Sequence, residues 1–499
     1  MPKRDKVSAK RCKASAKCLK ETGKKGMTDK KSIAFHNLGC KVNGYEMEFM
    51  QQTCRKKGYR IVPFDEKADV YVINTCTVTN IADRKSRQMI RRARAGNPQA
   101  VVVAVGCYVQ AQGEDALKEL SIDLAIGNNR KGDLLPLLEE YLERRDRPCA
   151  QEEISGQENH VSQERGAGDE TDRPRQAAVL DIAHTGEYEE MELESTGEHT
   201  RAFVKVQDGC NQFCSYCIIP HVRGRIRSRR MEDAVREVQG LVQKGYREVV
   251  LTGIHLSSYG MSAGQDFSHS RLLELLTRIS GQTGIERIRL GSLEPRIITR
   301  EFVRGLKECE ALCPHFHLSL QSGCDSVLKR MNRKYTAEEY YEKVCMLREA
   351  FDDPAITTDV IVGFPGESCG EFERTRDFLG RVGFYEMHVF KYSRRAGTAA
   401  EAMEGQIPEP EKALRSGELI SLGQEMSLRY RQAHLHKKAE VLFEERRVIG
   451  RETYQTGFTR EYIRVAVKDD VLSGENLAGQ IREGEPWAQL TPDILLFHL

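Results

Sequence analysis

Six cysteines are placed as metal chemistry would place them. The run "GCNQFCSYC" sets Cys210, Cys214 and Cys217 in a C-x3-C-x2-C pattern, while Cys40, Cys76 and Cys107 close the apolar runs "SIAFHNLGC", "ADVYVINTC" and "AVVVAVGC". A structural zinc takes four ligands and a disulfide two, and three close thiolates supply neither set. Soft thiolates suit an iron–sulfur cube, where three cysteines leave one iron open to a non-protein ligand. An open position of that kind marks catalysis. Zinc with a distant fourth ligand and plain structural packing are the other readings of the same run.

Such thiolates need elements that carry them to one place. The three runs ending in Cys40, Cys76 and Cys107, with "YRIVPF" and "IDLAIG", alternate with helix-like sequence. That alternation implies a parallel sheet of about five strands with helices on both faces, in a flavodoxin-like arrangement. Ligands gather at the carboxyl ends of such strands, so the three cysteines are expected to converge on one edge of the sheet. A second series follows: "RAFVKVQDGC", "EVVLTGIHL", "ERIRLGSLEP", "HFHLSLQSG", "AITTDVIVGFPGE" and "FYEMHVFKYS". These β/α units predict a partial (β/α)6 barrel whose chemistry sits on the loops after its strands. The C-x3-C-x2-C loop follows the first of them. His255, Ser292, Glu294, Gln321, Ser322, Asp359 and Arg394 stand at or near the ends of others, and Tyr216 lies beside the last loop cysteine.

At 499 residues the chain is long enough for two to four domains. The boundaries expected are a basic, disordered tail over 1–31, an N-terminal domain over 32–147, an acidic linker or insertion over 148–198 whose last part could form an edge strand, a central domain over 199–433, and a small β-barrel over 434–499. Fifteen cysteines without an apolar leader point to reduced thiols in a cytoplasmic protein rather than a disulfide framework. No apolar run reaches the ~18 residues of a membrane span. The last domain carries nine basic and eleven acidic residues, so net charge gives it no argument for binding nucleic acid. Only a local patch, Arg451, Arg460 and Arg464 with Tyr454, Phe458 and Tyr462, would serve.

These motifs, in this order, resemble the radical S-adenosylmethionine (SAM) enzymes, specifically the methylthiotransferases that modify tRNA. "GCNQFCSYCIIPHVRGRIRSR" is similar to the radical SAM cluster loop. "NLGCKVNGYEME", "VINTCTVTNIADRKSRQ" and "VGCYVQ" resemble the three cysteine segments of the N-terminal domain, and "LTGIHLSSYG", "RIRLGSLEP", "HLSLQSGCDSVLKRMNRKYT", "TDVIVGFPGE" and "FKYSRRAGTAA" the barrel motifs. The resemblance covers nearly all of residues 32–499 and is strongest to the MtaB type, which acts on N6-threonylcarbamoyladenosine at position 37 of tRNA. Gly44, where a polar residue such as Gln is usual, is a modest departure.

The resemblance implies a [4Fe–4S] cluster on Cys210, Cys214 and Cys217 that binds SAM and cleaves it reductively to a 5′-deoxyadenosyl radical. It implies an auxiliary [4Fe–4S] cluster on Cys40, Cys76 and Cys107 that presents sulfur, and a TRAM-like C-terminal barrel. Glu294, Gln321, Asp359 and Gly363 become candidates for contacting SAM or substrate. Arg84, Lys85, Arg87 and Arg91, in a helix with six basic residues and no acid from 84 to 94, and Arg223 and Arg225, with Arg227, Arg229 and Arg230, become candidates for contacting the tRNA anticodon loop. An electron donor such as flavodoxin or ferredoxin and a sulfur source are implied partners. The alternatives are the same chemistry on isopentenyladenosine in tRNA or on a ribosomal protein, or a non-catalytic iron–sulfur RNA-binding or redox-sensing protein. The other nine cysteines receive no role.

Overall fold

The computed structural model describes residues 31–113, 115–146, 175–197, 200–472 and 474–499; the basic tail up to residue 30 and the acidic segment up to residue 174 lie outside them. The N-terminal sheet is parallel throughout, built from β1 (Ser32–Asn37), β2 (Arg60–Val62), β3 (Val70–Thr75), β4 (Val101–Gly106), β5 (Leu124–Ile126) and β6 (Gln176–Ala178), in the order β2-β1-β3-β4-β5-β6. Period-two alternation divides its apolar side chains between two layers. Ile33, Val70, Val72, Val101 and Val103 pack with α1 (Lys41–Lys57) on one face. Ala34, Tyr71, Ile73, Val102 and Ala104 pack with α2 (Asn80–Gly96), α3 (Cys107–Gln112) and α4 (Asp115–Leu120) on the other. The helix α5 (Leu134–Asp146) completes the first layer through Leu134, Leu138 and Tyr141.

The sixth strand comes from the segment expected to be an acidic linker. Residues 175–197 are built into the fold: β6 extends the sheet, and Met191 and Leu193 are buried against Tyr45, whose hydroxyl donates to Met191 O at 2.6 Å. The expectation allowed an edge strand in this segment, and β6 does lie at the edge of the sheet; the apolar residues, not the charges, decide what is buried.

The central unit carries β7 (Arg201–Asp208), a short antiparallel β8 (Arg227–Ser228), β9 (Glu248–Gly253), β10 (Arg287–Leu290), β11 (His315–His317), β12 (Ala355–Val362) and β13 (Glu386–Lys391). Its strands form two sheets, β10-β9-β7-β8 and β11-β12-β13, bridged between them at Ile288–Leu312 and Leu293–Leu318. The six parallel strands thus make an open, partial barrel. Ala202, Val204, Val206, Val249, Leu251, Ile288, Leu290, Phe316 and Val360 pack in the core with the outer helices. The alternate positions Arg201, Lys205, Gln207, Arg289, His317, Asp359 and His388 fall on the inner face.

A closed barrel, β14 (Ala439–Ile449), β15 (Glu452–Thr459), β16 (Arg464–Lys468), β17 (Ile481–Thr491) and β18 (Ile494–His498), seats against the amino ends of the central strands. Arg287 donates to Thr459 O at 2.8 Å, Arg289 to Arg460 O at 2.9 Å, and Arg460 to Leu312 O at 2.8 Å. The Arg201 guanidinium lies over the rings of Phe458 and Tyr462. The patch singled out from the sequence is therefore corrected: Arg460, Phe458 and Tyr462 bind this interface and are not a free surface. Among the described residues no helix is long and apolar enough to cross a membrane.

Candidate functional site

The sheet order makes neighbours of the strands that end in cysteine. β1, β3 and β4 are adjacent, with Asn37 paired to Asn74 and Thr75 to Gly106, so Cys40, Cys76 and Cys107 leave the sheet side by side. Cys40 is the N-cap of α1 and Cys107 the first residue of α3. Gly39 brings the first loop against the second: its φ is +112°, and a Cβ there would stand 3.3 Å from Cys76 Sγ. Asn43 ties the loops together, donating to Leu38 O at 2.7 Å and Thr75 O at 3.2 Å, while the Cys40 thiol points to its Oδ1 at 3.8 Å. Asn128 donates to Cys107 Sγ at 3.4 Å. Burial pushes the Cys40 thiol up and the Cys76 thiol up to about 11.

The second site is the loop after β7. It is pinned from several sides: Cys210 N donates to Gly224 O at 3.0 Å, Ser215 N to Met331 O at 3.1 Å, Ala400 N to Ser215 O at 2.7 Å, and Asn332 to Phe213 O at 2.9 Å. Arg333 donates to Cys214 Sγ at 3.4 Å, to Glu294 Oε2 at 2.9 Å and to Ser319 O at 3.1 Å. Burial alone would raise the Glu294 carboxyl, but Arg333, His255 and Arg296 hold it at about 2. Burial pushes Cys210 up to about 12 and Cys217 up as well.

One helix, α6 (Ile219–Arg223), joins the two sites. It begins two residues after Cys217, and Ile218 and Val222 pack on Cys107. Asn128 grips its end by donating to Val222 O at 2.7 Å. At the far side of the opening, the chain after β13 holds the Cys76 loop. Arg395 donates to Asp83 Oδ2 at 2.5 Å and to Thr77 Oγ1 at 2.7 Å, and Asn80 donates to Arg394 O at 2.9 Å. The N-terminal cysteines are thus fastened to both edges of the open barrel, β7 and β13.

Both sites offer the donor set of an iron–sulfur cube. Cys76 and Cys107 are buried, Cys210, Cys214 and Cys217 half-buried and Cys40 exposed, and both sites carry N–H donors to sulfur, the contacts by which proteins tune such groups. Fully buried Arg223 adds an Nε–H that has no acceptor among the described residues. No three His, Cys, Asp or Glu side chains among the described residues stand close enough to hold a single metal ion. A cube places each thiolate on a different iron, so its cysteines stand wider than the ligands of one ion.

The other sequence-predicted residues divide. Glu294 faces the cysteine loop through Arg333. Asp359 lies on the inner face, 3.3 Å from His317 Nε2. Gln321 takes a strained φ of +72° at the strand end, its N–H donating to Asp359 O at 2.9 Å. At Gly363 a Cβ would stand 2.4 Å from Lys412 Cγ, so the missing side chain makes room for the helix Glu409–Ala433. Arg84, Lys85, Arg91 and Arg225 are exposed and Arg87 is half-buried. Arg223 is also corrected: at 1% exposure, clamped between Glu46 and Asp208, it cannot touch RNA. Arg227 and Arg229 are buried too. Tyr216 packs edge-on to Phe364. Sequence reasoning missed Asn43, Glu46, Asn128, Arg333 and Arg395. The first two lie within the quoted "GCKVNGYEME", at helical spacing from Cys40, which was the available signal.

Residues 204–379 match the Radical SAM superfamily and residues 32–127 match a group described as Uncharacterized protein family UPF0004. The chain is 38% identical over 452 residues to the threonylcarbamoyladenosine tRNA methylthiotransferase MtaB of Bacillus subtilis, covering 90% of this chain and 92% of that one. It is 40% identical to the MtaB of Aquifex aeolicus, over 84% and 94% of the two chains. A tRNA-2-methylthio-N(6)-dimethylallyladenosine synthase of Thermodesulfovibrio yellowstonii is 34% identical, over 89% and 94%.

Proposed function

The chain belongs to the radical SAM tRNA methylthiotransferases, of the MtaB type, and from that premise we propose that it inserts a methylthio group at C2 of N6-threonylcarbamoyladenosine at position 37 of tRNA. The observation that carries the proposal is a pair of three-cysteine sites, on two sheets, joined by the five-residue helix α6. Cys210, Cys214 and Cys217 would hold one [4Fe–4S] cluster, and Cys40, Cys76 and Cys107 the other. When bound with SAM, these groups supply radical cleavage and sulfur transfer.

The chain's own residues do the rest by placement. Glu294 is an ionised acceptor at neutral pH, held by Arg333 and Arg296, and it steadies the cysteine loop from the barrel side. Asp359 and Gln321 line the inner face as partners for the cofactor or the adenosine. The contacts made through α6 and Arg395 would hold the two cysteine sites in a fixed relation, as placing the reacting carbon and excluding water require. Arg84, Lys85, Arg87, Arg91 and Arg225 would follow tRNA phosphates, supported by their exposure, with the C-terminal barrel as a TRAM-like RNA contact. A flavodoxin- or ferredoxin-type electron donor, a sulfur source and a cytoplasmic location complete the reading.

The test is mass spectrometry of tRNA nucleosides from a strain lacking the gene, with the gene restored intact or as Cys214→Ala. The methylthio-threonylcarbamoyl nucleoside is expected to vanish and to return only with the intact gene. Loss of the isopentenyl analogue instead would overturn the substrate.

A further inference from the structure

Beside the N-terminal cysteines lies a buried charge cluster that the proposed reaction leaves without a task. Glu46, one helical turn beyond Asn43 on α1, accepts from Lys131, from Lys205 at 2.8 Å, and from both arms of Arg223 at 2.6 and 3.1 Å. Asp208, at the end of β7, takes Lys205 at 2.7 Å and Arg223 at 3.1 Å. All five side chains are buried. Three cations meet two carboxylates, leaving one positive charge in surplus. At the margin of the cluster Glu189 faces Lys205 and Lys131, and Arg227 faces Asp208.

A buried, unmatched charge is costly unless an anion answers it. Three features say where the anion belongs. The second arm of Arg223 donates to Asn43 Oδ1 at 2.5 Å, and Asn43 is the residue that ties the Cys40 loop to Thr75. The Arg223 Nε–H is buried without an acceptor among the described residues, an unfavourable state for a charged donor. The helix that ends in Arg223 packs on Cys107 through Val222 and Ile218. Three thiolates on a dicationic iron–sulfur cube make a net monoanion, which matches the surplus.

We propose that Arg223 is the positioning and charge-balancing residue of the Cys40–Cys76–Cys107 site: its guanidinium locks Asn43 beside Cys40 and supplies the buried positive charge that an anionic iron–sulfur assembly needs. Because α6 starts just after Cys217, the residue that steadies one cysteine site is carried on the loop of the other. The inference rests on the proposed assignment of those three cysteines.

The test uses the full chain, reconstituted anaerobically with iron and sulfide, with Cys210, Cys214 and Cys217 all replaced by Ala so that only the N-terminal site reports. Iron content and the midpoint potential by electron paramagnetic resonance are read for this parent, Arg223→Gln, Arg223→Lys and Glu46→Gln. Arg223→Gln is expected to keep less than half of the parent's iron. At the parent's midpoint, what remains is expected to be reduced about tenfold less, or about 59 mV more negative for one electron. Glu46→Gln, which removes a negative charge, is expected to shift the potential the opposite way, and Arg223→Lys to restore most of the iron. Iron and potential unchanged in Arg223→Gln would overturn the proposal, as would shifts of the same sign in both charge variants, the mark of lost packing alone. A parent that binds no iron would overturn the cysteine assignment itself, and this inference with it.

Discussion

The guanidinium of Arg333 stands 3.4 Å from Cys214 Sγ while another of its nitrogens donates to Glu294 Oε2 at 2.9 Å. A cysteine on the first β/α loop is thereby steadied from a carboxylate near the end of the third strand. The pair is buried, so removing the cation strands a charge: Arg333→Met is expected to destabilise the metal-free protein by about 3–5 kcal/mol at neutral pH, measured by urea unfolding.

The pH dependence of that loss follows from Glu294. Its carboxyl is held at about 2 in the folded protein against 4.5 as its ordinary value, so the stability it contributes is present above about 4.5 and is lost as pH falls toward 2. The gap in unfolding free energy between wild type and Arg333→Met is therefore expected to narrow over that window. A gap that stays constant down to the acid limit would show that Arg333 acts by packing alone.

Gly39→Ala is expected to damage the N-terminal cysteine site. A Cβ there meets Cys76 Sγ at 3.3 Å and the backbone holds a φ of +112°, a conformation costing an L-residue about 1–2 kcal/mol. Iron bound after reconstitution should fall in this variant, with the Cys210–Cys217 loop still loading.

Arg395→Gln should uncouple the two halves of the reaction. It opens the clasp on Thr77 and Asp83 without touching the loop after β7. Formation of 5′-deoxyadenosine from SAM is expected to persist, while methylthiolated tRNA falls at least about tenfold, in line with the cost of misplacing reacting groups. Equal loss of both products would assign Arg395 to general stability.

The exposed side of α2 gives an electrostatic prediction. Replacing Arg84, Lys85 or Arg91 by Ala should weaken tRNA binding, with each lost phosphate contact lowering the salt dependence by about 0.7–0.9 in log–log slope. SAM cleavage without tRNA should not change. Unaltered slopes would make this face a solvated surface.

Much of the architecture was legible because its signals are local. Alternating β-branched runs name the strands, and a cysteine just after "NTC"-type strand ends needs only the general rule that parallel strands deliver ligands at their carboxyl ends. The C-x3-C-x2-C spacing states its own chemistry. The acidic composition around residues 175–197 points to a linker or insertion with at most an edge strand, yet Met191, Leu193 and Ala178 determine where the segment goes.

What the sequence by itself determined, then, was the set of thiols and the strands that end in them. Whether a basic residue meets solvent was decided only by tertiary structure. Arg223 and Arg225 sit two positions apart in one basic run, yet one is sealed between Glu46 and Asp208 and the other is exposed. Arg395 meets Asp83 from 312 residues away. The physical reason is range: backbone preference and ligand spacing act within a few residues, whereas a buried charge is tolerable only where distant segments bring its counter-charges.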